Sequence, residues 1–245
     1  MMNKITTFLA AILLVGATLA APAVSVNAQT KKGTQARSGE RVRVPLNLAV
    51  LIQDDLVSRV GNELRETAGF IRALPEGSQV MVGYIRSGSL QVRQPFTADL
   101  EAASRALRVP AGSTAVSPYN PYTQVRDAVR QFPAGGENRN ALLLVSDGLD
   151  TSRGFDFSSS VDSVDLNRAV REAKSRGVSV YSFYAPSAGL TSWNGRAVSF
   201  GQSALNRVSD ETGGRAFFQG TDFVTFNAYF ERLAKTINEQ AGRAY

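Results

Sequence analysis

The segment from Asn140 to Asp150, which reads NALLLVSDGLD, constrains the fold of this chain more than any other. Five consecutive apolar residues, Ala141 to Val145, are typical of a strand buried on both faces, as in the middle of a parallel sheet. The run ends at Asp147-Gly148, where glycine allows a sharp turn. Ligands of open α/β sheets bind outside the carboxyl ends of the strands, so Asp147 is expected to face a binding crevice. The alternative is that Asp147 only caps the following turn.

The rest of the sequence alternates strands with helices. A strand from Leu46 to Ile52 is apolar on both faces, and a helix is predicted from Ser58 to Leu74 because apolar residues recur there every three or four positions. Alternation over 79–85, followed by a tight turn at Ser87-Gly88, predicts an antiparallel hairpin at a sheet edge. Further helices are predicted at 98–107, 123–132, 164–176, 202–211 and 222–241, and further strands at 178–184 and 215–218. Strands joined by crossover helices indicate a mostly parallel sheet covered on both faces.

The N-terminus has the pattern of a secretory signal. Lys4 precedes an apolar run from Phe8 to Leu19 and then small residues, with cleavage expected after Ala28. The apolar run is too short for a comfortable membrane span, and the chain has no cysteine to carry a lipid. We expect residues 1–28 to be a signal peptide, 29–44 a flexible basic lead-in and 45–245 one domain. The mature chain is then secreted or periplasmic without an integral membrane span; the alternative is an uncleaved N-terminal anchor.

The composition excludes most enzyme classes. The sequence contains no histidine and no cysteine, which removes Ser-His-Asp and Cys-His relays, disulfides and histidine or thiolate metal sites. Phosphate-binding glycine loops and the G-x-S-x-G elbow are also missing from the sequence. The net charge of +6 comes from arginines interspersed with acids, as on solvated helix faces, so we expect no nucleic-acid partner. We expect no enzymatic activity; the remaining alternative is metal-dependent phosphoester hydrolysis at an acidic cluster.

Thr123 to Ala128, which reads TQVRDA, and the run that ends at Asp147-Gly148 together resemble the von Willebrand factor A (VWFA) family. Its metal-ion-dependent adhesion site uses D-x-S-x-S after the first strand, a threonine in a T-x-x-x-D-A context before the central helix, and the aspartate of a D-G pair after the central strand. Thr123 to Ala128 resembles the second segment and Asp147-Gly148 resembles the third. Glu211 to Gly214 also resembles the end of many bacterial members.

The first segment departs from the family pattern. Asp54 and Ser58 fit its outer positions, but Leu56 stands where the family has a serine. Shifting the register by one residue, so that Gln53 comes first and Asp55 second, fits the consensus less well. Either register loses one hydroxyl ligand.

The resemblance covers about Leu46 to Ala241 and implies both a fold and a site. The implied fold is an α/β, Rossmann-like three-layer domain, with a mostly parallel sheet of about six strands, one antiparallel edge strand and helices on both faces. The implied site is a degenerate one for Mg²⁺ or Mn²⁺, cations that prefer oxygen ligands. The predicted ligands are Asp54, Asp55, Ser58, Thr123 and Asp147. The alternative is that these residues cap the first helix and order the loops, since Ser58 suits an N-cap position.

Aromatic side chains lie in or beside the long loops predicted at the carboxyl ends of the strands. Tyrosine and tryptophan in such loops are common anchors in protein recognition. The predicted partner-binding residues are Tyr119, Tyr122, Phe155 and Trp193. In the family, a partner carboxylate completes the coordination of the cation, so the chain is interpreted as an exported protein-binding module for adhesion or complex assembly. The alternative is a metal-independent structural or assembly component of the cell envelope.

Overall fold

The computed structural model describes residues 40–154, 163–218 and 225–243. The strands in these ranges are β1 (Leu46–Gln53), β2 (Gln79–Arg86), β3 (Ser89–Thr97), β4 (Arg139–Ser146), β5 (Val178–Tyr184) and β6 (Ala216–Phe217). The helices are α1 (Val60–Arg72), α2 (Leu100–Arg105), α3 (Pro121–Val129), α4 (Val164–Ser175), α5 (Gly195–Glu211) and α6 (Phe226–Gly242).

The six strands form one sheet in the order β3-β2-β1-β4-β5-β6. Only the β2–β3 pair in this sheet is antiparallel, and the other four pairs are parallel. The hairpin turn has φ of 47° at Ser87 and 71° at Gly88, as a two-residue type I′ turn requires. This sheet, with its single antiparallel edge strand and its helices, confirms the predicted α/β fold.

Helices cover both faces of the sheet, and this explains why β1 is buried along its whole length. One core lies between the sheet and the pair α1 and α6, and the other lies against α3, α4 and α5. Phe183 of β5 anchors α6 in the first core, with ring centroids 5.3 Å from Phe226, 5.1 Å from Tyr229 and 5.0 Å from Phe230.

Two helices begin earlier in the chain than their apolar periodicity predicts. Helix α3 begins at Pro121 because Asn120 caps it by accepting a hydrogen bond from the backbone N–H of Tyr122. Helix α5 begins at Gly195 rather than at residue 202, because Asn194 Oδ1 accepts hydrogen bonds from the backbone N–H groups of Arg196 and Ala197. The capping residues therefore define both starts, and the predicted starts were wrong. Residues 222–224 of the predicted terminal helix lie outside the described ranges.

The last residues of the expected flexible lead-in pack against α6. Val42 is buried in the core beside this helix. The backbone N–H of Arg43 donates to Asn238 Oδ1 at 2.9 Å, and Asn238 Nδ2 donates to the carbonyl of Arg41 at 2.8 Å. Residues 40–44 are thus part of the folded domain, whereas residues 29–39 and the expected signal peptide lie outside the described ranges. None of the helices described is both long and apolar enough to span a membrane.

Candidate functional site

The carboxyl ends of β1, β4 and β5 meet at one edge of the sheet, where Gln53 links two acidic side chains. Ser146 Oγ donates to Gln53 Oε1 at 2.5 Å, and the backbone N–H of Asp147 donates to the same oxygen at 3.3 Å. Gln53 Nε2 in turn donates to Asp55 Oδ1 at 2.7 Å. The amide of Gln53 therefore connects the turn after β4 to Asp55, and all four residues are buried.

The carboxylate of Asp147 is held from two sides. Its Oδ1 accepts from the backbone N–H of Leu149 at 3.1 Å, and its Oδ2 accepts from Thr191 Oγ1 at 3.0 Å. Burial raises the pKa of Asp147, although hydrogen bonds from Ser187, Leu149, Gln53 and Thr191 favour the charged form. The loop after β5 thus orients an acid whose charge is poorly solvated.

Asp55 is the second acid of this edge. It is 0% exposed, and its Oδ2 has no hydrogen-bond partner in the part of the chain that the structure describes. Burial and the neighbouring charge of Asp147 raise the pKa of Asp55 to about 6, while hydrogen bonding from Gln53 and Ser117 lowers it. A buried carboxylate oxygen without a donor beside a second carboxylate makes this edge a candidate site for a positively charged ligand.

Helix α5 approaches the turn after β4 so closely that only glycine fits at the contact. A Cβ at Gly201 would lie 2.0 Å from the carbonyl oxygen of Asp147, and a Cβ at Gly148 would lie 2.4 Å from the carbonyl oxygen of Gly201. Gly148 also has φ of 71°, a conformation that L side chains rarely adopt. This contact positions the backbone of Asp147, and the sequence analysis did not identify Gly201.

The carboxylate of Asp54 is bound by two arginines. Arg108 donates to both of its carboxylate oxygens, Nη1 to Oδ1 at 2.6 Å and Nη2 to Oδ2 at 2.9 Å. Arg86 Nη1 donates to Oδ2 at 3.2 Å and the backbone N–H of Ala111 to Oδ1 at 3.0 Å. The Arg108 guanidinium also lies 4.1 Å from the centre of the Tyr84 ring. Burial alone would raise the pKa of Asp54, but Arg108, the Ala111 N–H and Arg86 outweigh it and hold the pKa below its usual value.

Neither carboxylate oxygen of Asp54, a predicted cation ligand, is without a hydrogen-bond donor. Its carboxylate forms ion pairs with Arg86 and Arg108. The acid whose pKa is raised by burial and by the charge of Asp147 is Asp55. Gln53 and Asp55, the first two residues of the register that fits the family consensus less well, are hydrogen-bonded to each other at this edge.

Neither Ser58 nor Thr123 hydrogen-bonds to Asp55 or Asp147 through its side chain in the described part of the chain. Ser58 is exposed, and it does not cap α1, whose N-cap position is Arg59 without a side-chain hydrogen bond. Thr123 is inside the first turn of α3, where its hydroxyl donates to the carbonyl of Asn120 at 3.2 Å. The hydroxyl near Asp55 comes instead from Ser117, in the loop before α3. Proline is favoured at the first position of a helix, so Pro121 is the sequence signal that could have placed Thr123 inside α3 rather than before it.

A cavity of about 170 Å³ opens at this edge between three loops. Its lining includes Ser117 and Pro118 before α3, Asp147 and Leu149 after β4, and Ser187 and Leu190 after β5. Both predicted anchors in these loops are exposed, Tyr119 by 71% and Trp193 by 73%.

The other two predicted partner-binding residues are Tyr122 and Phe155. Tyr122 is fully buried, and its hydroxyl donates to the carbonyl of Gly148 at 2.7 Å. Burial, followed by the charges of Asp147 and Asp150, raises its pKa well above the usual value. Tyr122 supports the turn after β4, so its prediction as a partner-binding residue was wrong. Phe155 lies outside the described residues.

Comparison with known proteins identifies a fold rather than a close relative. No protein-family model and no curated protein matches this sequence. An aerotolerance-related membrane protein from Bacteroides fragilis, solved with multiple mutations to serines, matches with a TM-score of 0.54 and 10% identity over 79% of this chain and 99% of that chain. The conserved hypothetical protein BatB from Bacteroides thetaiotaomicron matches with a TM-score of 0.55 and 11% identity over 80% of this chain and 99% of that chain.

Proximal thread matrix protein 1 from the mussel byssus, whose structure has a zinc-occupied MIDAS motif, matches with a TM-score of 0.52 and 13% identity. The match covers 83% of this chain and 49% of the mussel protein. The six-stranded, mostly parallel sheet with one antiparallel strand is consistent with a VWFA-type fold. The chain has a VWFA-type fold. At these identities, the likeness of this VWFA-type domain to its neighbours extends to the fold alone.

The oxygen atoms at the carboxyl edge of this VWFA-type domain suit a hard divalent cation. Asp55 offers a buried, unpaired carboxylate oxygen, Asp147 a second carboxylate and Ser117 a hydroxyl. Within the described ranges, no group of three or more acidic, histidine or cysteine side chains is arranged to hold a metal. Two carboxylates and hydroxyl groups are oxygen ligands of the kind that Mg²⁺ and Mn²⁺ accept, and water or a partner has to supply the other ligands. The described residues thus supply oxygen atoms of the right kind but not a complete set of protein ligands for such a cation.

Proposed function

We propose that this chain is an exported protein-binding module, for adhesion or complex assembly, that contacts its partner through the carboxyl edge of the sheet. The observation that carries the proposal is the buried, unpaired Oδ2 of Asp55 beside Asp147, at an edge where Tyr119 and Trp193 are exposed. A soluble domain rarely leaves a carboxylate unpaired in its interior, so such a group calls for a ligand. The signal-like N-terminus supports export.

The cation that we propose for this site is Mg²⁺ or Mn²⁺, held by Asp55, Asp147 and Ser117. When bound, it neutralises the two carboxylates and offers an open coordination position to a partner oxygen. The chain's own residues prepare the site. Gln53 fixes the carboxylate of Asp55, while Thr191 fixes that of Asp147.

The two exposed aromatic residues are proposed as the anchors of the interface. Trp193 follows the short 3₁₀ turn Leu190–Ser192, whose first residue lines the cavity. Tyr119 lies on the opposite loop, where its carbonyl accepts a hydrogen bond from the backbone N–H of Thr151 at 2.7 Å. Large aromatic side chains on ordered backbone are frequent energetic centres of protein interfaces. Since the sequence lacks the histidine and cysteine of common catalytic relays, we assign binding rather than catalysis to this edge.

A capture experiment from envelope extract tests the proposed function. Wild type, Asp147→Ala, Asp55→Asn and Trp193→Ala serve as baits, each with and without a chelator. Arg232→Ala, an exposed residue of α6, is the matched control. We expect the control to capture the wild-type partner and the three edge variants to lose it. If the three edge variants capture every protein that the wild type captures, the proposal is wrong.

The cation is tested separately by calorimetry and thermal unfolding with Mg²⁺ and Mn²⁺. We expect binding at millimolar concentration, lost in Asp55→Asn and Asp147→Ala and retained in Ser58→Ala and Thr123→Val. Neither heat nor a melting shift in the wild type would refute the cation site.

A metal-independent assembly component is the second candidate function. The observation in its favour is that Thr191 and the Leu149 N–H already orient the carboxylate of Asp147 without a cation. Capture that resists the chelator but is lost in Trp193→Ala would support this second function over the first.

A further inference from the structure

Helices α3 and α4 lie side by side and form a shallow surface groove of about 330 Å³. Three arginines line it, Arg126 from α3 together with Arg168 and Arg171 from α4. Glu172 and Ser175 complete the lining. In the sequence these arginines stand among acids and resemble an ordinary solvated helix face, so the groove exists only because the two helices pack together. We call it the arginine groove.

Each acid around the arginine groove is already paired with an arginine other than Arg126 and Arg171. The Glu172 carboxylate accepts hydrogen bonds from Arg176 at 3.0 Å and from Arg130 at 3.4 Å. Arg176, and to a smaller extent Arg130, lowers the pKa of Glu172. Asp165 lies 3.4 Å from Arg168. The third nearby acid, Asp127, lies 3.7 Å from Arg130.

Arg126 and Arg171 are left without an acidic partner. Neither forms an ion pair with a carboxylate in the described part of the chain. Two guanidinium groups that line one groove without an acidic partner give it a local excess of positive charge. The local excess of positive charge therefore points to an anionic ligand.

We propose that the arginine groove binds a phosphate group, carried either by a soluble phosphorylated molecule or by a phospholipid headgroup. Arginine presents a planar fork of N–H donors that matches two oxygens of a phosphate, and several arginines are a common means of binding that group. A groove of about 330 Å³ is at the small end of ligand pockets and accommodates a headgroup rather than a polymer strand. This site is separate from the carboxyl edge of the sheet and does not depend on the function proposed for that edge.

The test measures the binding of sodium pyrophosphate to the full mature chain. Binding is measured by calorimetry and by thermal unfolding at constant ionic strength. The variant is Arg126→Ala with Arg171→Ala. The control is Arg65→Ala with Arg232→Ala, which removes the same charge from exposed positions of α1 and α6. We expect wild type and control to bind and the groove variant to bind at least tenfold more weakly. Circular dichroism of each variant shows whether it is folded.

A second arm distinguishes the two sources of phosphate by cosedimentation with vesicles of phosphatidylglycerol or of phosphatidylcholine. Binding to phosphatidylglycerol vesicles that is lost only in the groove variant supports a lipid headgroup. Pyrophosphate binding without vesicle binding supports a soluble ligand. The proposal is overturned if the wild type binds neither probe, or if the groove variant and the control variant bind alike.

Discussion

Asp54 and Arg108 form a partly buried, bidentate ion pair, with distances of 2.6 Å between Nη1 and Oδ1 and 2.9 Å between Nη2 and Oδ2. Asp54 is 0% exposed, and Arg108 comes from the loop after α2. The pair occupies both oxygens of the first of two consecutive aspartates and links the loop before α3 to the end of β1. The positive charge of Arg108 therefore balances the carboxylate of Asp54, and Asp55 remains as the acid of the candidate site.

Arg108→Ala is expected to lower the free energy of unfolding by about 2 to 4 kcal/mol. Removing one partner of a buried pair leaves an uncompensated charge, although Arg86 still contacts Asp54. Arg105→Ala is the control, because its pair with Glu101 is exposed and such pairs contribute less than about 1 kcal/mol. Urea unfolding measures both. Equal losses in the two variants would show that the Asp54–Arg108 pair is not a buried structural contact.

Asp55→Asn is expected to stabilise the domain in chelator at pH 8 by about 1 to 3 kcal/mol. The folded pKa of Asp55, about 6, lies above the ordinary value of 3.8, so the folded state holds a proton more tightly than the unfolded state. The resulting stability is present below pH 4 and is lost as the pH rises through 6. Asparagine keeps an oxygen for Gln53 Nε2 and removes this titration.

The measurement for Asp55→Asn is urea unfolding of both proteins between pH 4 and pH 8. The difference between them should shrink towards pH 4, where Asp55 is protonated in the folded wild type. The exposed variant Asp127→Asn should show a smaller effect at all pH values. A variant less stable than the wild type at pH 8 would contradict the assigned environment of Asp55.

Gly201→Ala is expected to destabilise the domain by more than about 2 kcal/mol, because its methyl group would overlap the carbonyl of Asp147. Gly69→Ala is the matched control in α1, where a Cβ has no heavy atom within 4 Å. There, alanine should raise stability by about 0.5 to 1 kcal/mol through its higher helix propensity. Thermal unfolding distinguishes the two, and a stabilising Gly201→Ala would refute the close contact between α5 and the turn after β4.

Tyr122→Phe and Trp193→Ala should separate stability from recognition. Tyr122→Phe removes one buried hydrogen bond to Gly148 and should lower the free energy of unfolding by about 1 kcal/mol with little effect on partner capture. Trp193→Ala should leave stability nearly unchanged, since the side chain is exposed, and should abolish capture. The reverse pattern would exchange the roles that the structure assigns to these two aromatic residues.

Much of the fold was predictable because local signals and packing agree. Strands β1 and β4 are apolar on both faces since helices cover both sides of the sheet, and the two positive φ values at Ser87-Gly88 match the predicted hairpin turn. The starts of α3 and α5 were missed because apolar periodicity indicates where a helix is buried, whereas a capping side chain decides where it begins. The capping residues Asn120 and Asn194 were visible in the sequence.

Local sequence patterns were enough to predict the sheet, its antiparallel edge and the position of Asp147 at the end of a buried strand. Tertiary structure alone decided which neighbouring acid joins Asp147. Asp54 and Asp55 lie in the turn after β1, where the alternation of a strand no longer fixes the direction of each side chain. The choice between them depends on Arg108, 54 residues away from Asp54 in sequence, which pairs with one acid and leaves the other. Such a partner is set by the packing of distant loops, and no local pattern in the acidic segment encodes it.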